Sequence, residues 1–548
     1  MMNSFTKMCV ALPLALVATC VIADVEPGEE AIALGIAMGA EPPKSTPASG
    51  PESHGPFKRL VIKDAIYIDG TGAPPQGPVT IVVEQDRIVS IVGAGTQGVH
   101  GTIGTPGPET HVIDAAGKYV IPGMIDSHAH FGSPYHSIGG STTDPDYVGK
   151  LYLAHGVTTL RDVGCLMGLQ WTLEQKARSN AGEISIPRIE AYALFPENTL
   201  DAKAARQWVQ AVAKKGADGI KFTGAKPEAM KAAIEEATKL GLPTAAHHSQ
   251  VTVTQWNALD SAAAGLTSIE HWYGIPEAMF EDRTVQDYPY DYNYSNEQDR
   301  FGHAGRLWLQ AASSGSETWQ RTIDQLLADH VTLDPTFSVY ESNRDYMRHV
   351  TLEWHEDYTM PYIARTFEPN PKIHGAYHFD WTTADEVAWK ANYRRWMDFV
   401  NDYKNAGGRV VTGSDSGFIL NIYGFSYIRE LEMLQEAGFH PLEVLQAATI
   451  NSAELLGMEA DIGTLGIGKK ADMVIVDDNP LANFKVLYGT GQRRLNWETG
   501  KMERAGGILY TIKDGIVYDA KLMLKQVREM VAERKRLEAE ATSAAQGG

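Results

Sequence analysis

The chain has 548 residues and three cysteines, with 48 Lys and Arg against 68 Asp and Glu, a formal charge of −20. That length exceeds one average domain but suits a large barrel with a smaller companion. The negative balance repels phosphate backbones and anionic lipid, which argues against nucleic acid as a partner.

Residues 1–23 read as an export signal: Lys7 precedes an apolar run from Met8 to Ala23, and Val21-Ile22-Ala23 offers small residues for cleavage. The run is short for a bilayer and contains Pro13, so cleavage near Asp24 is expected in preference to a lasting anchor. The expected location is periplasmic or secreted, with no stable membrane span after cleavage; the alternatives are a signal anchor or lipid attachment at Cys20, which Thr19 disfavours. Cys9 and Cys20 leave with the signal, so Cys165 stands alone and no internal disulfide forms. Residues 24–57 are rich in Pro, Gly, Ser and acidic residues and read as a disordered linker.

Over 58–120, short β-branched runs alternate with turns, as in "LVIKDAIYIDGTG" and "VTIVVEQDRIVSIVG". The same texture returns over 461–520, which predicts one β-sandwich built from both ends of the chain. Between them, over 121–460, eight strand-like runs are separated by helical spacers such as "PEAMKAAIEEATKLG", which end at Gly. This α/β pattern predicts a (β/α)8 TIM barrel, with chemistry at the C-terminal ends of its strands. Two spacers are longer than a crossover, Trp272 to about Asp329 and Tyr340 to about Gly408; their aromatics suit lids and specificity loops or an interface, including one between copies of the chain. Residues 521–548 read as a charged, solvent-facing helix that frays.

Polar residues gather at the strand ends: His128 and His130 at the first, Lys221 in the fourth, His247 and His248 at the fifth, His271 at the sixth, Asp415 at the eighth. In a strand, residues two apart face the same side, so His128 and His130 both point into the barrel mouth and can grip one ion. Chance alone gives about half an H-x-H pair in a chain with this histidine content, so the strand-end position is what carries weight. Lys221, between Ile220 and Phe222, turns toward the axis, where an unpaired ammonium is costly. Either an interior carboxylate pairs with it, or burial leaves a neutral amine that adds carbon dioxide to become a carbamate bridging two metals. His247 and His271 suit a second divalent ion, and Asp415 can bind metal and accept a proton from metal-activated water attacking an amide.

From about Arg59 to Ala520 these motifs resemble the amidohydrolase superfamily: "PGMIDSHAH" its first strand, "GIKF" its lysine, "AAHH" and "SIEH" its single histidines, "GSDSG" its last aspartate. The likeness is greatest to imidazolonepropionase-like and prolidase-like hydrolases of amide and peptide bonds. It implies His128, His130, Lys221 as N6-carboxylysine, His247, His271 and Asp415 as ligands of two divalent metals, usually zinc, with Asp415 also catalytic and His247 preferred over His248. The implied substrates are dipeptides, N-acyl amino acids or related small amides. A mononuclear deaminase or cyclic-amide hydrolase is the alternative chemistry, although Gln250 stands where such deaminases carry a glutamate. A catalytically silent binding or assembly protein is the alternative of another class.

His136, Arg344 and Arg348 are candidate substrate contacts, the two arginines one helical turn apart and able to receive a carboxylate. Cys165 and Asp162 read as structural, and Glu270, next to His271, should point away from the pocket.

Overall fold

A computed structural model describes residues 44–93, 107–196, 201–370, 378 and 380–547. The expected export signal therefore lies outside the described residues.

Seven parallel strands follow one another in chain order: Met124–Ala129, Val157–Gly164, Arg188–Leu194, Gly219–Phe222, Thr244–Ala246, Ser268–Glu270 and Thr332–Asp334. Each pairs with its sequential neighbour, and nearly every residue is buried, as expected of a parallel sheet covered by helices. The eighth run forms only a single bridge to the seventh strand. It still closes the barrel: Val411 N donates to Leu333 O at 3.0 Å on one side, and Ser127 N donates to Thr412 O at 2.8 Å on the other. Gly413 permits this approach, since a Cβ there would collide with Asp334 and His128.

The spacers fold as their punctuation predicts. Ala202–Lys215 is capped by the Asp201 side chain and ends at Gly216, and Pro227–Leu240 begins with Pro at its first position and ends at Gly241.

The second unit is a nine-stranded, mainly antiparallel sheet drawn from both ends of the chain. Met473–Val476 lies between Tyr119–Pro122 and Ile508–Lys513, and Arg59–Tyr67 branches the sheet by pairing with Gln76–Glu84, Thr110–Asp114 and Tyr119–Pro122. Its core mixes Leu60, Ile62, Ile81 and Val120 with Met473, Ile475, Ile512 and Val517, which confirms the composite sandwich.

Three expectations are corrected. The disordered linker was expected to run to residue 57, but residues 44–57 pack on the protein. Ser53–His54 pairs with Ile516–Asp519, Thr46 donates to Gln175 at 2.6 Å, and the Glu52 carboxylate accepts from Ser185 and Gln526. The C-terminal helix, Ala520–Gly547, is no free tail: Met523, Leu524, Val527 and Val531 are buried, and Arg365 pairs with Glu538. Five tryptophans of the long insertions, with Tyr340, form neither a lid nor an open interface patch, whereas Tyr290 in the same insertions is fully exposed. Trp272, Trp308, Trp319, Trp389, Trp396 and Tyr340 are buried together, with Trp272 5.9 Å from Trp396 and 6.2 Å from Trp389 between ring centroids. Each such ring removes about 150–250 Å² from water, so the insertions have a core of their own.

Among the described residues no helix is long and apolar enough to cross a membrane.

Candidate metal centre

His128 is the one histidine of the first strand, and His130 follows directly after its end; both are buried. The His128 Nδ1–H donates to Glu270 Oε2 at 2.6 Å, which fixes the tautomer and leaves the Nε2 lone pair facing Asp415 Oδ1 at 3.8 Å. His271 is fixed in the same sense. Its Nδ1 meets the Thr336 hydroxyl, which itself donates to Pro335 O at 2.7 Å, so Nδ1 must carry the proton. The Nε2 lone pair of His271 therefore faces Asp415 Oδ2 at 3.7 Å, while His130 Nε2 lies 3.1 Å from Oδ1. The His247 ring stands 4.6 Å from that of His271.

Burial, then neighbouring positive charge, pushes His128, His247 and His271 well below the ordinary histidine pKa, so all three are neutral. Burial alone would raise Asp415, but His128 and His130 outweigh it and hold the carboxyl ionised, well below the usual range. The unprotonated Nε2 atoms of His128 and His271 thus face a carboxylate. Lone pair against lone pair is repulsive, and a divalent cation among them would turn the repulsion into coordination. His128, His130 and Asp415 bring ligand atoms within 4.8 Å of one another.

Lys221 is the remaining candidate, in the fourth strand. Its side chain is buried, and its Nζ has no hydrogen-bond or ion-pair partner among the described residues, so the direct ion pair weighed from the sequence is not formed. Burial pushes its pKa down to about 8, only partly offset by the charges of Glu270 and Asp415. A group of this kind is a neutral amine for part of its time near physiological pH.

His271 and Asp415 both sit at positive φ, 60° and 47°. Left-handed backbone is uncommon outside glycine and costs strain, and here it re-aims a side chain at the end of a strand. The expectation that Glu270 faces outward is corrected for that reason: the turn at His271 lets consecutive residues both reach the interior.

Glu270 belongs to a floor beneath the histidines that sequence reasoning missed. Arg161 Nη2 donates to both Glu270 oxygens at 2.9 and 2.8 Å and to Asp334 at 3.0 Å, Nη1 donates to Ser268 at 2.8 Å, and Nε reaches Ser127 O. Burial would raise Glu270, but Arg161 and then Lys221 hold it below its ordinary pKa. His128, Glu270 and Asp334 also lie close enough together to hold a cation, but the guanidinium already supplies that positive charge. A buried charge demands partners, so an arginine within a barrel strand was the available signal.

Other candidates fall outside the cluster. His248 turns away and meets Ser261 at 2.8 Å. His136, expected to contact substrate, has both nitrogens engaged, Nδ1 with Thr143 at 2.7 Å and Nε2 with Gly417 O at 2.9 Å, so it positions the loop after Asp415 instead. Arg344 is bound to Asp345 and Glu436, and Arg348 to Glu341, which leaves neither as a carboxylate receptor. Cys165 and Asp162 are buried in structural roles, Asp162 accepting from Phe131 N and Thr172.

The chain is similar to known proteins in both sequence and fold. The amidohydrolase family model matches residues 394–517. An imidazolonepropionase of Symbiobacterium thermophilum is 56% identical over 486 residues, covering 82% of this chain and 95% of that protein. Uncharacterized mycobacterial proteins match at 30% identity over 130 residues, so that this chain spans only 18% of their length. In fold, the chain is similar to a Xaa-Pro dipeptidase (TM-score 0.56, 18% identity, 84% of this chain and 100% of that one). A bottromycin amidohydrolase aligns with TM-score 0.58 and 18% identity over 92% and 94%. With its nearly closed parallel barrel, its composite sheet and a relative this similar along almost its whole length, the chain belongs to the amidohydrolase family.

Proposed function

We propose that the protein is a binuclear metal-dependent amidohydrolase that cleaves carbon–nitrogen bonds in small substrates such as dipeptides or N-acyl amino acids. His128, His130, His247, His271, Asp415 and Lys221 as N6-carboxylysine would hold two divalent ions, zinc by the chemistry of the imidazole-rich set. The observation that carries this reading is the convergence of the neutral His128 and His271 imidazoles on an ionised Asp415, with His130 against the same carboxylate and the Lys221 amine unpartnered among the described residues. Two cations in such a site polarise an amide carbonyl and make hydroxide available from water near neutral pH.

The chain's own groups supply the rest. The neutral Lys221 amine adds to carbon dioxide and releases one proton, which leaves an anionic carbamate where no protein carboxylate reaches. Asp415 accepts the proton of the attacking water at a carboxylate oxygen and passes it to the departing nitrogen. Glu270, held by Arg161, keeps His128 in one tautomer and one orientation.

The imidazolonepropionase relative favours a cyclic amide as a second reading. Deamination is disfavoured because both ends of Gln250 are engaged, its oxygen with Arg300 and its nitrogen with Tyr288. Residues 1–23 support export to the periplasm or beyond. The deciding experiment joins metal analysis with a screen of dipeptides, N-acyl amino acids and cyclic amides, with free ammonia assayed in parallel. About two metal equivalents and carbon–nitrogen cleavage without ammonia are expected. A folded protein that takes up no metal and turns over none of these would refute it.

A further inference from the structure

One element belongs to neither the barrel nor the composite sheet. Gln492–Asn496 and Lys501–Ala505 pair in antiparallel register with each other and with no other strand among the described residues. A lone two-stranded ribbon is marginal in water, and this one is pinned at its base. Glu353 pairs with Arg504 at 2.6 Å and with Arg493 at 3.7 Å, Arg504 Nη1 also donates to Gly491 O at 2.9 Å, and Arg494 pairs with Asp478. The apex is equally ordered. Asn496 Oδ1 accepts from Glu498 N at 3.0 Å and from Thr499 N at 3.1 Å, and Gly500 N, at a φ of 64°, donates back to Asn496 O at 2.8 Å.

This fixed turn holds Trp497 88% exposed. Leu495 opposes Met502 across the ribbon, so both side chains leave on one face, and both are exposed. An ordered turn that presents a tryptophan to water gains nothing in the isolated protein and marks a contact surface. Arg493, Arg494, Lys501 and Arg504 surround these side chains, all exposed, against Glu498 and Glu503. Behind the ribbon, Arg348, Lys485, Arg493 and Arg504 line one cleft of about 410 Å³, with Glu353 and Glu432 as its acids. Positive charge is thus in local excess on a chain that carries −20 overall.

An apolar apex ringed by cations matches an anionic lipid surface, where tryptophan settles at the headgroup level and basic residues meet phosphate. A second copy of the chain fits less well. Three side chains fall far short of the roughly 1,200 Å² that a stable protein interface buries, and a twofold contact would set the same cations against each other. The overall negative charge does not forbid the approach. Its field is screened over about 8 Å in physiological salt, whereas five residue pairs carry the apex roughly 17 Å from the base. We propose, independently of the amide-hydrolase reading, that the hairpin Gln492–Ala505 docks the protein on an anionic lipid surface, with Leu495, Trp497 and Met502 entering the headgroup layer.

The test sediments the full chain with vesicles of phosphatidylglycerol mixed into phosphatidylcholine, and of phosphatidylcholine alone. Wild type should bind the mixed vesicles about 10-fold more tightly, by a margin that shrinks as salt rises. Trp497→Ser should weaken that binding about 10-fold through lost apolar contact, and Lys501→Glu about 30-fold through reversed charge. Both variants should melt at the wild-type temperature, which separates lost docking from lost fold. Hydrogen exchange on wild type gives a readout that needs no variant: the amides of 497–500 should slow when the mixed vesicles are present. Equal binding to both kinds of vesicle, no loss in Trp497→Ser, or exchange at 497–500 unaltered by lipid would overturn the proposal. So would a lipid-free dimer, seen by sedimentation velocity, that Trp497→Ser dissociates, since a second copy would then be the occupant.

Discussion

Lys221→Met should stabilise the metal-free protein at neutral pH and at the same time disable the metal site. The Nζ is buried without a partner, and burial brings its pKa from the ordinary 10.5 to about 8. Below pH 8 the folded chain carries a cation it disfavours, by roughly 3 kcal/mol from the gap between those values. Between pH 8 and 10.5 the unfolded chain binds more protons than the folded one, so wild-type stability rises with pH across that window. Methionine keeps the stem volume and cannot be charged. In chelated, carbon-dioxide-free buffer the variant should therefore melt about 3 °C above wild type at pH 7, scaling the entropy of unfolding to a chain of this size. The difference should shrink toward zero by pH 10. Scanning calorimetry at the two pH values reads the effect, and metal analysis of the same variant should find about one equivalent or less. A variant that melts at or below wild type at pH 7, or a gap unchanged at pH 10, would refute the reasoning.

Glu270→Gln removes the negative charge beside Arg161 and leaves one acceptor oxygen where His128 and Arg161 share two; metal affinity should fall about 10- to 100-fold in a competitive chelator titration. His247→Ala should cost metal, whereas His248→Ala, whose ring serves Ser261, should keep full loading by elemental analysis. Arg344→Met should leave kcat/KM within about twofold, because its guanidinium is spent on Asp345 and Glu436. For Glu52, burial would raise the carboxyl, but Gly50 N, Ser185 and Gln526 bring it down to about 2. Its contribution is thus present above pH 4.5 and lost as pH falls toward 2. Glu52→Gln should cost roughly 1–2 kcal/mol at pH 7, after solvent screening, with the deficit gone in acid unfolding near pH 2.

The barrel was legible because Pro and Gly bound each helical spacer and because buried parallel strands are continuous apolar runs. The gathering of His128, His130 and His271 around Asp415 was legible because such residues at strand ends are brought by the fold to one face. Strand parity failed at Glu270, since a two-residue period cannot foresee the left-handed turn at His271. Arg344 and Arg348 failed for a different reason: spacing on one helix says nothing of Glu341, Glu436 and Asp345, which claim both guanidiniums. The aromatic insertions misled because the same tryptophans serve a lid, an interface or a core, and only packing decides among the three. Arg161 went unread, although an arginine inside a buried strand needs carboxylates on other strands to balance its charge.

The sheet that joins both ends of the chain also fixes an order of events during biosynthesis. The hairpin of Arg59–Tyr67 and Gln76–Glu84 leaves the ribosome early, yet Met473–Val476 and Ile508–Lys513, which complete its apolar face, emerge only after the whole barrel. Until then that ribbon presents unsatisfied backbone and bare hydrophobic surface, a liability for any nascent polypeptide. Truncation at either terminus would recreate the same exposed state in the finished molecule, so damage to the last strands should register as misfolding of the first.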